Sequence, residues 1–358
     1  MTSPLIDELL RASVESEASD LILHEGKPAL LRIHGELRQV DGPPVSRADL
    51  EELCQRSGGT VTDLDYDGSL IATDGSRFRV NLLRQLGSRA AVLRRIQSQI
   101  PELDALGAPS DLLREWSSRP SGVVIVSGPT GSGKSTTVAA TLEWINRTLR
   151  RHVVTIEDPV EYVFAPMESL FTQREVGIDT PSFAEGLRRS LRQNPDIIFL
   201  GEIRDALSAS TAIQAAETGH IVFATLHASN CADAIDRLQL LFAAEEREAV
   251  RKTLASQLLG IICQRLIPAA GGGRALLCEY FSNAASSRRI IAEGRMTDLL
   301  DFIMRGDPLT ARSFSESLLT LVRAGQVTEA TAMEITDNPQ EFSRMLRGIS
   351  SSTQATRR

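Results

Sequence analysis

GVVIVSGPTGSGKSTTVAATLEWI, residues 122–145, runs a β-branched apolar stretch, a glycine-rich turn and a helical stretch together without a break. Within it GPTGSGKS (128–135) is a complete G-x-x-x-x-G-K-S phosphate loop, in the strand-to-helix setting that the motif requires. Gly131 and Gly133 let backbone N–H groups approach phosphate oxygens, and the N-terminus of the following helix favours their negative charge. The reading therefore assigns Thr130, Gly131, Ser132, Gly133, Lys134, Ser135 and Thr136 to ATP. The Lys134 ammonium is expected on the outer phosphates and the Ser135 hydroxyl on a magnesium ion. A glycine-rich turn that binds nothing would leave the coincidence of strand, loop, lysine and helix unexplained.

Three further runs, VVTIEDP (153–159), DIIFLGE (196–202) and HIVFATLH (220–227), are apolar and β-branched, with helical stretches between them. The alternation predicts an α/β fold, a parallel sheet buried on both faces by crossover helices. In such open sheets ligands bind beyond the strands' C-terminal ends, where the acidic residues of this chain fall. Glu202 ends one run and can orient an attacking water or hold hydrated magnesium, or it is a plain surface carboxylate. Glu157, Asp158 and Glu161 crowd the end of another, as a metal-water or general-base cluster, or as a polar loop turned by Pro159. His220 and His227 bracket the third; such histidines are usually structural, and periodicity alone gives them no chemistry.

Working outward, residues 20–37 read as two short strands joined at Gly26-Lys27-Pro28, residues 47–56 as a helix, and residues 77–85 and 90–96 as strands. These place a first domain over 1–97, a linker with a connecting helix over 98–120, a second domain over 121–348 that turns mostly helical beyond Val250, and a disordered tail over 349–358. With 358 residues, 42% hydrophobic and 24% charged, there is material for two cores. A net charge of -7 argues against a surface built to neutralise nucleic-acid phosphates. Cys54, Cys231, Cys263 and Cys278 form no C-x-x-C pair, so a zinc ribbon or dithiol site is unsupported. No apolar run approaches the roughly 20 residues of a membrane helix, and no signal peptide is evident, so the expectation is cytoplasmic.

In order along the chain, GPTGSGKS, TIEDPVEY (155–162), FLGEIRD (199–205) and TGHIVFATLH (218–227) resemble the Walker A, aspartate-box, Walker B and histidine-box signatures of the secretion ATPase superfamily, the traffic motors of type II secretion and type IV pili. The resemblance extends to RFRVNLLRQ (77–85) and QREVGIDT (173–180), covers about residues 20–345, and looks closest to the short pilus retraction branch, PilT- and PilU-like. QREVGIDT and ATLHASN (224–230) look more like the PilU members. The family implies a PAS-like N-terminal α/β domain, a RecA-like P-loop ATPase domain, and a homo-hexamer at the inner face of the cytoplasmic membrane. It implies a pilus platform protein and a paralogous motor subunit as partners, with no nucleic acid and no membrane insertion.

Carried over position by position, Glu161 and Glu202 polarise water, Glu157 and Asp158 lie nearer magnesium, and His220 and His227 belong to the histidine box. Arg79, Arg94, Arg188 and Arg192 resemble the phosphate-sensing arginines, and in a continuous helix the last two would share one face. One departure stands out: SSRRIIAEGR (286–295) keeps Arg288 but has Ser287 and Ala292 where the retraction helix usually has isoleucine and arginine. That leaves open an accessory, extension or secretion motor. Beyond the motors stand a nucleotide-binding regulatory subunit with little turnover and, disfavoured by the acidic charge, a RecA-like DNA motor.

Overall fold

The computed structural model describes residues 4–33, 35–60, 62, 65–96, 99–307 and 309–348. Its contacts divide the chain into two units, residues 1–100 with 159–163, and residues 101–158 with 164–358. The expected boundary at residues 97 and 98 and the tail 349–358 lie outside the described residues.

The first unit runs α1 (Pro4–Glu15), β1 (Asp20–His24), β2 (Leu30–Ile33), β3 (Glu36–Gln39), α2 (Arg47–Arg56), β4 (Tyr66–Ile71), β5 (Arg77–Gln85) and β6 (Ser88–Ile96). The strands form one antiparallel sheet in the order β3-β2-β1-β6-β5-β4. Strict alternation in β5 sends Phe78, Val80 and Leu82 into the core and leaves Arg79 outside. Ile6, Leu9 and Leu10 of α1 and Leu50 and Leu53 of α2 complete that core. Ser46 and Asp49 form a capping box that fixes where α2 begins. The sequence reading did not anticipate β3 or β4: all four residues of β3 are exposed, and β4 carries Asp67, Gly68 and Ser69, so neither shows an apolar alternation.

The second unit begins with a 3-10 turn (Leu103–Leu106) and α3 (Ser110–Ser117), then builds β7 (Gly122–Ser127), α4 (Lys134–Thr148), β8 (His152–Glu157), β9 (Leu170–Glu175), α5 (Phe183–Ser190), β10 (Ile197–Leu200), α6 (Ala206–Glu217), β11 (Ile221–Leu226) and α7 (Cys231–Leu240). It continues with α8 (Arg247–Gln257), β12 (Leu258–Pro268), β13 (Arg274–Ser282), α9 (Ala285–Glu293), α10 (Met296–Met304), β14 (Ala311–Arg312), α11 (Phe314–Arg323), α12 (Glu329–Ile335) and α13 (Pro339–Leu346). The sheet order is β14-β13-β12-β7-β11-β10-β8-β9, parallel from β12 to β9. Every residue of β7, β10 and β11 is buried, as expected for strands covered on both faces.

Beyond Val250 the chain is helical in α8 and from α9 onward, but residues 258–282 are a long antiparallel hairpin, with β12 seated in parallel beside β7. Helices α11 to α13 pack Leu318, Ala332 and Phe342 on Ile267 and Leu277 of that hairpin. The result is a sheet whose central strand, β7, delivers the phosphate loop with ordered neighbours on both sides.

Candidate functional site

Parallel register brings four strand ends into one row. Ser127 of β7 lies opposite Leu226 of β11, and Leu200 of β10 lies between Ala224 of β11 and Ile156 of β8. Just beyond those ends stand Gly128, His227, Glu202 (after Gly201) and Asp158 (after Glu157), along the C-terminal edge of the sheet. The acids and the loop that the sequence scatters over about a hundred residues are collected by strand order alone.

In the loop, Gly131 (φ 76°) and Gly133 (φ 86°) adopt left-handed backbone, which a side chain at either position would strain. Gly133 caps α4 without a side-chain hydrogen bond, so the first-turn N–H groups face out of the helix end. Lys134 is 9% exposed, and its ammonium donates to the carbonyls of Gly128 (2.9 Å) and Pro129 (3.0 Å). The Ser132 hydroxyl is buried and has no hydrogen-bond partner among the described residues. An orphaned donor beside a lysine and a helix N-terminus fits a phosphate oxygen. Behind the loop, Gln264 Nε2 donates to Thr137 Oγ1 at 2.7 Å, and the Ser127 hydroxyl donates to the Leu226 carbonyl at 3.2 Å. The helix that carries Ser135 and Thr136 is thus fastened to β12, and the loop strand to β11.

Along the row, Glu202 Oε1 faces His227 Nε2 at 3.2 Å, and Glu202 Oε2 accepts from Arg204 Nε at 2.6 Å. Arg204 Nη1 reaches Asp158 Oδ2 at 3.2 Å. The hydrogen bond to Glu202 lifts the Arg204 guanidinium above its ordinary pKa, which is already high enough to keep it charged. Glu157 is buried opposite Glu175 of β9, while Asp158 is exposed at the tip. Gly201 makes the approach feasible: a Cβ there would stand 3.2 Å from both the Glu157 Cα and the Ile156 carbonyl. The Thr225 hydroxyl donates to the Gly201 carbonyl and steadies the same turn.

Not every expected residue joins this row. His220 lies at the opposite end of β11, where Nδ1 is 2.9 Å from the Ala215 carbonyl at the close of α6. Arg188 pairs with Glu185 at 2.7 Å. α5 ends at Ser190, and Arg192 sits in the 3-10 turn that follows directly, closed by left-handed Asn194; both arginines are exposed. Arg79 and Arg94 are cross-strand neighbours in the first unit, and Arg94 Nε bonds Asp20 Oδ1 at 2.8 Å. Glu161 is exposed and belongs with that unit, in the segment 159–163. In α9, Ser287 is fully buried and its hydroxyl accepts from the Ala284 N–H at 2.8 Å, while Arg288 is exposed. The departure at Ser287 therefore alters the start of the helix from inside, not its outer surface.

The sequence reading missed Arg204, Thr225 and Gln264. Arg204 and Thr225 stand within the quoted Walker B and histidine-box runs, yet their partners lie on other strands, so only the assembled sheet gives them a role. Gln264 sits in the hairpin that was expected to be helical. All four cysteines are buried.

The model of the family described as type II/IV secretion system protein matches residues 2–275. The type IV pilus retraction ATPase PilT of Pseudomonas aeruginosa is 38% identical over 344 residues, 94% of this chain and 99% of its own. The type IV pilus ATPase PilU of the same organism is 32% identical over 348 residues, 95% of this chain and 91% of its own. Over the matched lengths, then, identity is higher to PilT than to PilU. The crystal structure of the pilus retraction motor PilT with bound ADP superposes with a TM-score of 0.87 at 39% identity, covering 95% of this chain and 99% of that one.

Proposed function

The chain belongs to the type II/IV secretion system protein family, and from that premise we propose that it is a hexameric motor ATPase that powers type IV pilus retraction. Nucleotide binding and ATPase activity follow from membership and from the PilT likeness across nearly the whole chain. The observation that carries the proposal is the row Gly128, His227, Glu202 and Asp158 on one sheet edge. A phosphate loop alone would serve a switch; a carboxylate two strands away, with a histidine between them, is the equipment for turning water onto a phosphoryl group.

The assignment of roles follows the chemistry. Residues Thr130 to Thr136 hold the phosphates, with Lys134 leaving its loop carbonyls for the outer ones. Ser135, together with Glu157 and Asp158 through water, would hold magnesium, which supplies charge neutralisation for the phosphates. Glu202 orients the attacking water, with Glu161 as the second candidate, and His227 holds the second Glu202 oxygen. Arg79, Arg94, Arg188 and Arg192 are assigned to phosphate contact in the assembled ring. The chain would work at the cytoplasmic face of the inner membrane on a pilus platform protein, alone or beside a paralogous motor; among the described residues no helix is long and apolar enough to cross a membrane.

The test is genetic and direct. Deleting the gene in its host, then counting surface pili, should give more pili and lost twitching; bald cells would mean extension instead. Ser287 and Ala292 in α9 favour one second reading, an accessory motor. That reading predicts normal piliation in the deletion, with a deficit seen only under load.

A further inference from the structure

Glu202 is held on both sides at its strand end. Arg204, two residues on, closes back so that Nε donates to Glu202 Oε2 at 2.6 Å while Nη1 bonds Asp158 Oδ2 at 3.2 Å. Its guanidinium carbon lies 5.6 Å from the Phe183 ring centroid, a cation–π distance that backs the group from one side. The turn beneath is pinned by Ile203 N–H to the Thr225 carbonyl (3.0 Å) and Gly201 N–H to the Ile156 carbonyl (2.8 Å). One guanidinium therefore ties the end of β10 to the end of β8, and a planar fork is what reaches two carboxylates at once.

We propose that Arg204 is a positioning residue, which fixes the Glu202 carboxylate in the orientation that directs water at the terminal phosphate. It acts through Glu202 and rests on the reading of Glu202 as the water-orienting group. Stability does not account for the arrangement. The side chains of Arg204, Glu202 and Asp158 are 53%, 21% and 36% exposed, and ion pairs so solvated contribute little to folding. What the bridge does supply is order. An unrestrained glutamate samples several rotamers, and each lost rotamer has an entropic cost that two fixed partners meet before substrate arrives. His227 on Oε1 and Arg204 on Oε2 leave the remaining lone-pair directions of the carboxylate set by geometry, not by chance.

The test uses the full chain and compares wild type, Arg204→Ala, Arg204→Lys, Glu202→Gln and the Glu202→Gln/Arg204→Ala double variant in steady-state ATP hydrolysis. Arg204→Ala should lower kcat on the order of 10-fold to 100-fold with KM moved less than about 3-fold. Arg204→Lys should recover part of the loss, since an ammonium can hold Glu202 but cannot fork to Asp158. In the Glu202→Gln background, removing Arg204 should change the residual rate less than about 2-fold, because the two act as a unit. An unchanged kcat in Arg204→Ala, or the same loss with and without Glu202, overturns the proposal. Should Arg204→Ala unfold, Arg204→Lys decides: kcat below wild type at constant KM supports the role, and wild-type kcat overturns it. Collapse in Glu202→Gln beside full activity in Arg204→Ala defeats this proposal alone, whereas wild type that binds ATP without turnover defeats the ATPase reading beneath it.

Discussion

Glu279, in the middle of β13, shows how a single residue steadies the row from behind. It is 6% exposed, and one of its oxygens accepts the Cys231 N–H at 2.8 Å, the first amide of the helix that follows the histidine box. Burial raises its carboxyl above the usual range, while the Cys231 amide and Arg265 pull the other way and Asp233 adds to the rise. A folded pKa raised above the unfolded one gives stability that is complete below the unfolded value and lost as pH climbs through the folded value. Glu279→Gln keeps an acceptor for Cys231 and removes that loss. Its thermal midpoint should exceed that of wild type by more at about pH 8 than at about pH 5, and a gap independent of pH would contradict the assignment. Burial pushes the neighbouring Cys278 thiol up to about 12, which makes it inert as a nucleophile. At this scale the phosphate loop was legible because all its parts are contiguous. Arg204 was not, because its meaning depends on Asp158, 46 positions away in sequence.

Elements were legible where burial is uniform or alternation strict. The runs that became β7, β8, β10 and β11 are continuous apolar stretches between polar turns, and β5 alternates from Arg77 to Leu83. The hairpin β12–β13 escaped for a local reason: α8 ends at Gln257 and β12 begins at Leu258, with no glycine or proline to mark the change. Tertiary context makes the decision. A Cβ at Gly260 would lie 2.2 Å from the Trp116 ring, so the glycine admits the indole against β12, and Trp116 Nε1 donates to the Ser282 hydroxyl at 3.2 Å on β13. Trp116 is 1% exposed, the largest of the fully buried side chains. Trp116→Ala should therefore destabilise the chain by about 3–5 kcal/mol, read as a lower denaturant midpoint at unchanged slope. A cost below about 1 kcal/mol would mean that the hairpin is seated by β7 pairing alone. Beyond α5 the chain tightens to the 3-10 turn that carries Arg192, a change that the spacing from Arg188 does not display.

For the whole molecule, the proposed motor has a phosphate site that ring assembly completes. Arg79 and Arg94 stand on a different unit from the phosphate loop, and Glu161 lies in the segment that belongs with theirs. An arginine that reaches developing phosphate charge is worth roughly 10³ to 10⁵ in rate, so turnover should follow ring formation and not chain concentration alone. The family resemblance could be read from four motifs in order, because each is a short run at a strand end. The assembly could not, since nothing in one chain's sequence pattern states which surfaces meet. The decisive measurement is steady-state ATP hydrolysis with magnesium across a range of protein concentration, with oligomer mass recorded in the same samples, for wild type, Glu202→Gln and Arg94→Ala. Specific activity should rise with the hexamer fraction and collapse in both variants while nucleotide binding persists. Equal specific activity in monomer and hexamer, or hexamers that bind ATP and never hydrolyse it, would contradict that.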